Sequence, residues 1–399
     1  MRVLIVGTLP EGSLESLRQA DHVVICRNVR GSALQAAMQQ LDVQVLVVRS
    51  TRVTAAMMAS APSLELMVRA GAGTDNIDVK EASRLGILVA NCPGRNASAV
   101  AELTIGLMVA LDRRIPDNVQ AARQGRWEKR RFAEADGLRG RTLGVVGMGR
   151  IGREVTVMAQ AMGMRVIAWS RSLTDRRAES LGVRRMSSLQ KLAAAADIVT
   201  LHVAATAATQ HLADAAFFEA MKPGAFFINT SRGSTVDESA LRQAIREHGI
   251  RAGLDVFDQE PAYKEGPLDL PLSTHNEVYL THHIGASTRQ AQESTAAEAV
   301  RIINEYAQTG TAPNCINLAA RSSATHLLTV RHLDRVGVLA SVLQVVREHN
   351  LNVQEMENRV FAGEVAAVAL IRLTGSTDPL LLGQINRLEH VLAAHLIDL

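Results

Sequence analysis

Leu143-Gly-Val-Val-Gly147-Met-Gly149-Arg150-Ile151-Gly152-Arg153 reads as a buried strand that ends in a glycine-rich turn and opens directly into a helix. That setting gives the G-x-G-x-x-G spacing a physical meaning. Gly147 permits the tight turn, Gly149 lets backbone approach a pyrophosphate, and Gly152 lets helix and strand pack closely. The amides of Arg150 and Ile151 then present a helix N-terminus to a dianion. A plain strand–helix turn is the alternative. The following strand, Arg165-Val-Ile-Ala-Trp169, stands where a dinucleotide-binding unit requires it, and the segment predicts such a site.

NAD enzymes commonly place a carboxylate at the end of that following strand to hold the adenosine ribose hydroxyls. Here the position reads Trp169-Ser170-Arg171, with Arg176 and Arg177 shortly after. No carboxylate repels a 2′-phosphate, and Arg171 can pair with one. Arg171 can equally be a solvated charge at a basic helix start. The cofactor expected is NAD or NADP.

Outward from this unit, short β-branched or Leu-rich runs alternate with helix-length patterns. Strands are expected at 3–6, 43–48, 64–69, 87–90, 143–147, 165–169, 198–202, 225–229, 251–255 and 278–281. Apolar strands separated by crossover helices predict parallel sheets covered on both faces. These strands exceed one compact nucleotide-binding sheet, so two doubly wound, Rossmann-like α/β domains are expected. A helical pattern from near Asn96 marks the boundary, and a second long helix over roughly 288–308 leads to a Thr-, Pro- and Asn-rich loop. The rhythm changes from about Ser323. Strand 326–331, helix 336–349, strands 353–360 and 365–371, helix 377–387 and strand 391–397 give a ferredoxin-like βαββαβ plan.

Length and composition agree with this organisation. A chain of 399 residues makes about two or three domains. With 47% hydrophobic and 21% charged residues, a disordered or fibrous chain is excluded. A net charge of +3 and 3% aromatics supply neither a cationic field nor stacking platforms for nucleic acid. Cys26, Cys92 and Cys315 are spaced too widely for a disulfide framework or a metal site. The opening MRVLIVG reads as a first strand, not a signal peptide. The apolar stretch at 98–111 is broken by Glu102 and is too short for a bilayer. A cytoplasmic protein without a membrane role is expected.

A second glycine-rich segment, Arg69-Ala70-Gly71-Ala72-Gly73-Thr-Asp-Asn76, lacks the dinucleotide spacing. Its amides can still meet a small anion, with Arg69 as counter-charge, or it is only a tight connection. Three further polar residues fall just past strands of the nucleotide domain: Arg232 in INTSRG, Glu260 in DVFDQEP and His283 in LTHHIG. Ligands of doubly wound sheets gather at the carboxyl ends of strands, so these three can converge on one cleft. A guanidinium grips a carboxylate and polarises an adjacent carbonyl. A His–Glu pair makes a proton carrier whose pKa lies above that of a free imidazole. Beside a nicotinamide, these parts constitute a hydride-transfer site for a 2-hydroxy acid. Singly, each has a bland reading as surface cation, turn residue or core histidine.

The segments RAGAGTDNID, GRWEKRRF, LRGRTLGVVGMGRIGREV, INTSRGSTVDESAL, GLDVFDQEP and LTHHIGAST together resemble the D-isomer-specific 2-hydroxyacid dehydrogenases over residues 1–318. The resemblance implies that Arg232 binds the substrate carboxyl and carbonyl, that His283 is the acid/base, and that Glu260 is its partner. It implies that Asp255 holds the nicotinamide carboxamide with Thr230 nearby, and that His202 and Gly285 join the cofactor site. Ala70, Gly71, Ala72 and Asn96 would line the substrate, with Arg69 and the pair Arg130–Arg131 suited to a phosphate. Residues 1–98 and 287–318 would form a substrate domain closing on the dinucleotide domain, 99–286. Two positions depart from the family pattern: Ser170 replaces the usual acidic residue, and His282 replaces the Pro before the catalytic histidine.

The activity so implied is oxidation of 3-phospho-D-glycerate to 3-phosphohydroxypyruvate, the entry to L-serine synthesis, in a homodimer or homotetramer. NADPH-dependent reduction of glyoxylate or hydroxypyruvate is the alternative that Trp169-Ser170-Arg171 favours. A nucleotide-sensing regulatory protein is a third reading, but a pure binder has no need of a coupled acid/base. Residues 323–399 resemble an ACT domain, a regulatory module that often binds amino acids at a dimer interface. By that resemblance His332, Asp334 and Asn352 would hold an effector such as L-serine, although Val336 replaces the usual Pro before Gly337. A purely structural dimerisation unit is the other reading.

Overall fold

A computed structural model describes residues 1–261, 265–319 and 321–399, in two compact units, Met1–Asn317 and Leu318–Leu399. The first unit begins with β1 (Arg2–Val6), α1 (Glu11–Gln19), β2 (Val23–Arg27), α2 (Gly31–Gln40), β3 (Val45–Val48), α3 (Ala55–Ala59), β4 (Leu66–Arg69), α4 (Val79–Arg84) and β5 (Leu88–Asn91). These five strands form a wholly parallel sheet in the order β2-β1-β3-β4-β5. Every residue of β3 is buried, as expected for a strand covered by helices on both faces.

The chain then crosses through α5 (Ala97–Arg113) and α6 (Ile115–Arg123) into a second parallel sheet. Its elements are β6 (Thr142–Val146), α7 (Arg150–Ala161), β7 (Arg165–Trp169), α8 (Asp175–Ser180), β8 (Arg184–Arg185), α9 (Leu189–Ala195), β9 (Ile198–Leu201), α10 (Ala215–Ala220), β10 (Phe226–Asn229), α11 (Glu238–His248), β11 (Arg251–Leu254) and β12 (Val278–Leu280). The order β12-β11-β10-β9-β6-β7-β8 reverses direction at β6 and β9. A crevice for a ligand opens at such a reversal, outside the carboxyl ends of the strands.

Two helices tie the sheets together. Leu107, Met108 and Leu111 of α5 pack with Val145, Phe226 and Ile228 of the second sheet. α12 (Arg289–Thr309) instead buries Ala299, Ile302 and Ile303 among Val3, Ile5, Val45 and Val68 of the first. The chain therefore leaves the first sheet at α5 and returns to it at α12. Behind the second sheet Phe217, Phe218 and Phe227 meet edge to face at 5.0–6.2 Å between ring centroids. Such pairs add about 0.5–1.5 kcal/mol each beyond burial.

The sheets hold two strands beyond those expected. β2 carries the apolar run Val23-Val24-Ile25-Cys26 and was simply passed over; it is an edge strand with none of its residues buried, and it pairs only with β1. β8 consists of two exposed arginines, which no apolar pattern can announce. Four of the expected strands also run one residue past the observed ends. Gly147, His202, Asp255 and Thr281 lie one residue past β6, β9, β11 and β12, and all four thereby stand at the rim of the crevice.

The second unit contains β13 (His326–Leu333), α13 (Val338–Glu348), β14 (Asn352–Val360), β15 (Ala366–Thr374), α14 (Leu380–Ile385) and β16 (Val391–Asp398). They form an antiparallel sheet, β14-β15-β13-β16, in the expected βαββαβ succession. Leu328, Val330, Ile371 and Leu373 alternate onto the face covered by Val342, Val346, Leu381 and Ile385 of the two helices. The edge strand β14 is exposed along its whole length.

Candidate active site

The fingerprint turn has the shape a dinucleotide needs. Gly147 adopts φ +98°, and a Cβ there would collide with the His202 carbonyl. A Cβ on Gly152 would collide with the Gly147 carbonyl. Gly149 caps α7 with open space around its Cα. The first-turn amides of α7, including those of Arg150 and Ile151, thus face outward with no side-chain cap, free to meet an anion. His202 lines the other side. Burial pushes its imidazole down to about 3, so it stays neutral. Its Nε2 engages the Thr200 hydroxyl at 3.0 Å, while Nδ1 is buried with no partner among the described residues. Ser170 and Arg171 follow β7 directly, and Arg171 is exposed.

Asp255 organises the opposite rim. It is 1% exposed, and its carboxylate accepts the Thr281 hydroxyl at 2.6 Å and the amides of Ile284 and Gly285 at 2.8 Å each. Its own carbonyl accepts the His283 amide at 2.9 Å. An ionised carboxylate has about four acceptor positions; three are used here, and one remains for a carboxamide N–H. Asp255 therefore fixes the loop that carries His283, a role that no motif spacing announces. Thr230 is buried and its hydroxyl is engaged by Thr104 of α5 at 2.9 Å.

His283 and Glu260 form the expected pair, Nδ1 to Oε2 at 2.8 Å. The other Glu260 oxygen accepts the Phe257 amide at 3.3 Å, which orients the carboxylate. The hydrogen bond that His283 donates to Glu260 raises the His283 pKa above that of a free imidazole; burial opposes the shift, the Glu260 charge adds to it, and the Arg232 charge subtracts. Because Nδ1 is committed to Glu260, Nε2 is the nitrogen left to exchange a proton with a substrate. The adjacent His282 is exposed and makes no bond to Glu260.

Arg232 reaches the same place from the loop after β10. Its backbone carbonyl accepts the Asn229 side-chain amide at 3.0 Å and the Thr235 hydroxyl at 2.6 Å. Its guanidinium donates to the Ser231 carbonyl at 2.7 Å and to Asp75 at 3.2 Å. Burial pushes the Asp75 carboxyl up, but the charge and hydrogen bonds facing it, Arg232 first, hold it below its usual value. Arg69 is the last residue of β4. Burial, and then the charge of Arg232, hold its guanidinium below the ordinary arginine value. Its Nε is buried without a partner among the described residues, and a Cβ on Gly71 would occupy the place of its Nη1. Two guanidiniums are thus gathered close together with Asp75 as their nearest acid, and Arg49 past β3 adds a third cation whose charge reaches Arg69. Asp75, although inside the second glycine-rich segment, and Arg49 were not singled out from the sequence, since no spacing rule marks either.

Other expected residues stand apart. Arg131 pairs with Glu128 at 2.8 Å and lies over the Phe132 ring, lining a cavity with Arg114 and Arg251. Arg130 is exposed on the same loop. Neither is bonded to Arg69 or Arg232 among the described residues. Asn96 precedes α5 without a side-chain capping bond, and Ala70 is buried. In the second unit His332 is buried, with Nδ1 on the Leu333 carbonyl at 2.8 Å and Nε2 facing Asn358 at 3.1 Å. Both ring nitrogens are engaged inside the fold, so His332 differs from the expected open effector ligand. Asp334 and Asn352 are exposed.

A dinucleotide cradle beside a His–Glu pair and facing guanidiniums defines a nicotinamide-dependent oxidoreductase, and the chain belongs to the D-isomer-specific 2-hydroxyacid dehydrogenases. Residues 105–285 match the NAD-binding domain of that family. The chain is 35% identical to a D-3-phosphoglycerate dehydrogenase of Methanocaldococcus jannaschii over 393 residues, 97% of this chain and 73% of that protein. It is 36% identical to the human D-3-phosphoglycerate dehydrogenase over 308 residues, 76% of this chain but 55% of the relative. Among solved structures, an NADPH-dependent glyoxylate/hydroxypyruvate reductase of Sinorhizobium meliloti matches with TM-score 0.70 and 30% identity, over 79% of this chain and 97% of that one.

Proposed function

We propose that this chain oxidises 3-phospho-D-glycerate to 3-phosphohydroxypyruvate with NAD or NADP, the first step of L-serine synthesis. The observation that carries the proposal is the gathering of Arg69 and Arg232, with the Arg232 charge also facing His283 of the His283–Glu260 pair. Two cations held together with a buried, unpartnered Nε suit a substrate with two anionic ends. Residues 1–98 and 287–318 then form the substrate lobe, which closes on residues 99–286.

The bound nicotinamide supplies the hydride acceptor. Arg232 grips the substrate carboxylate and fixes the C2 hydroxyl. His283 Nε2 takes the hydroxyl proton as the C2 hydrogen departs with its electron pair, leaving a carbonyl. The imidazolium so formed is stabilised by Glu260. In reduction the same nitrogen returns the proton. Steady-state assays with 3-phosphoglycerate, phosphohydroxypyruvate, hydroxypyruvate and glyoxylate, each with both cofactors, test the proposal. Turnover of the simple 2-oxo acids with no turnover of the phosphorylated pair would overturn it.

Glu260→Gln is expected to lower the His283 pKa, since its hydrogen bond is the largest cause of the upward shift. Oxidation needs neutral His283, so its acid limb should move to lower pH. Reduction needs the imidazolium, so its alkaline limb should move the same way. Profiles of kcat/KM in both directions read the shift, and unmoved limbs would refute the pairing.

NADPH-dependent reduction of glyoxylate or hydroxypyruvate is the second reading, favoured by the absence of a carboxylate at Ser170. Ser170→Asp should turn preference towards NAD. Arg171→Ala should weaken NADP(H) binding alone, by roughly ten- to a hundredfold for a charge-assisted contact. Titration of each variant with both cofactors measures this; wild-type protein that ignores NADP(H) would make Arg171 a surface charge only.

The second unit we read as an ACT-like regulatory module. Its exposed edge β14 suits pairing with a second copy, which supports a homodimer or homotetramer. Asp334 and Asn352 remain open to the ammonium and carboxylate of an amino acid such as L-serine. Removing residues 323–399 should leave hydride transfer measurable and abolish inhibition by serine. Calorimetry of the full chain with amino acids is the direct check, and no binding at millimolar concentration would make the unit structural.

A further inference from the structure

We infer that Arg150 is a positioning residue that joins the cofactor cradle to the substrate half of the molecule, so that each ligand strengthens the other. This deepens the dehydrogenase reading and rests on it. Arg150 is the first residue of α7, where the free amides would face a pyrophosphate. Its side chain nevertheless runs to the first half, where Nη1 donates to the carbonyl of Pro93. Pro93 lies between the end of β5 and the start of α5, at the passage between the sheets.

The path continues from there by short steps. The amide of Cys92, next to Pro93, donates to the Gly71 carbonyl at 2.9 Å. Gly71 leaves the space that the Arg69 guanidinium fills. On the near side, Gly94 adopts φ +78°, and a Cβ there would collide with the Arg150 Cδ and lie 2.6 Å from its Nη1. Gly94 therefore keeps open the channel through which Arg150 passes. One guanidinium thus touches the peptide that anchors the substrate loop.

A guanidinium has five N–H donors in a planar fork, and the single Pro93 oxygen leaves others for phosphate oxygens. A pyrophosphate that fixes this side chain also fixes its hold on Pro93, and hence on the loop carrying Gly71. Linkage is reciprocal: a substrate that orders the loop must tighten the cofactor by the same factor. A lysine offers one compact ammonium in place of the fork and cannot span both partners in the same way.

The test is the cofactor dissociation constant, read from quenching of tryptophan fluorescence (Trp169 ends β7), with and without saturating 3-phosphohydroxypyruvate. Oxidised cofactor with the 2-oxo acid is a non-reacting pair, so binding is measured without turnover. In wild-type protein 3-phosphohydroxypyruvate should tighten the cofactor by about fivefold or more. Arg150→Lys should bring that factor close to one. Gly94→Ala, which displaces the side chain, should do the same, and should add nothing in the Arg150→Lys background. Circular dichroism establishes that each variant is folded. A wild-type factor near one, or a factor retained in Arg150→Lys, would overturn the inference while leaving the dehydrogenase reading intact. Protein that binds neither dinucleotide would overturn that reading and the inference with it.

Discussion

Replacing His283 by alanine should lower turnover by roughly 10²–10⁴-fold, the usual contribution of a positioned general acid–base, with cofactor affinity nearly unchanged. The reason lies in how the ring is held. Nδ1 is bound to Glu260 at 2.8 Å, and the backbone beneath is fixed by Asp255, so the ring presents Nε2 alone. Without it, the hydroxyl proton must leave to water as the hydride departs. His282→Ala is the matched control, because that side chain is exposed and lacks the carboxylate partner. Steady-state rates and cofactor titrations on both variants decide the matter. Loss of turnover in His282→Ala, with His283→Ala near wild type, would exchange their roles.

Arg232→Ala should reduce kcat/KM by on the order of 10²–10⁴-fold. Two charge-assisted hydrogen bonds to a carboxylate are lost together, at roughly 1.5–3 kcal/mol each. Arg232→Lys should recover only part of the loss, because an ammonium cannot meet a carboxylate with two parallel donors. Asp75 should also be released, having lost the guanidinium that donates to it at 3.2 Å. Comparing 3-phosphoglycerate with an unphosphorylated 2-hydroxy acid separates the two ends of the substrate. An equal loss for both places Arg232 at the carboxylate, whereas a loss confined to the phosphorylated substrate would move it to the phosphate.

Much of this site was readable from sequence because its parts sit at strand ends. Gly147, Arg232 and His283 each follow an apolar run at short distance, and parallel sheets bring such ends together whatever the intervening helices contain. The βαββαβ succession of the tail was legible for a similar reason, since apolar runs such as Ala366–Ile371 of β15 alternate with helix-length amphipathic segments. Contacts between distant loops were not legible. Nothing in the spacing of Asp75 announces Arg232, which lies 157 positions away, and nothing in Pro93 announces Arg150. The burial of His332 was missed because the strand was expected to end at 331, which left His332 in the loop beyond it. β13 instead runs on to Leu333, and the alternation that buries Leu328 and Val330 carries His332 to the same face.

His283 adopts φ +52°, a left-handed conformation that disfavours any side chain with a Cβ by about 1–2 kcal/mol. The residue that moves the proton is therefore among the less comfortable places in the chain. Three hydrogen bonds to one buried carboxylate hold it there. Selection for thermal stability alone would favour glycine at this position and would lose the enzyme in doing so. Efforts to harden this protein should accordingly leave the turn from Thr281 to Gly285 untouched and seek their gains elsewhere. Its discomfort is part of what keeps the imidazole aimed.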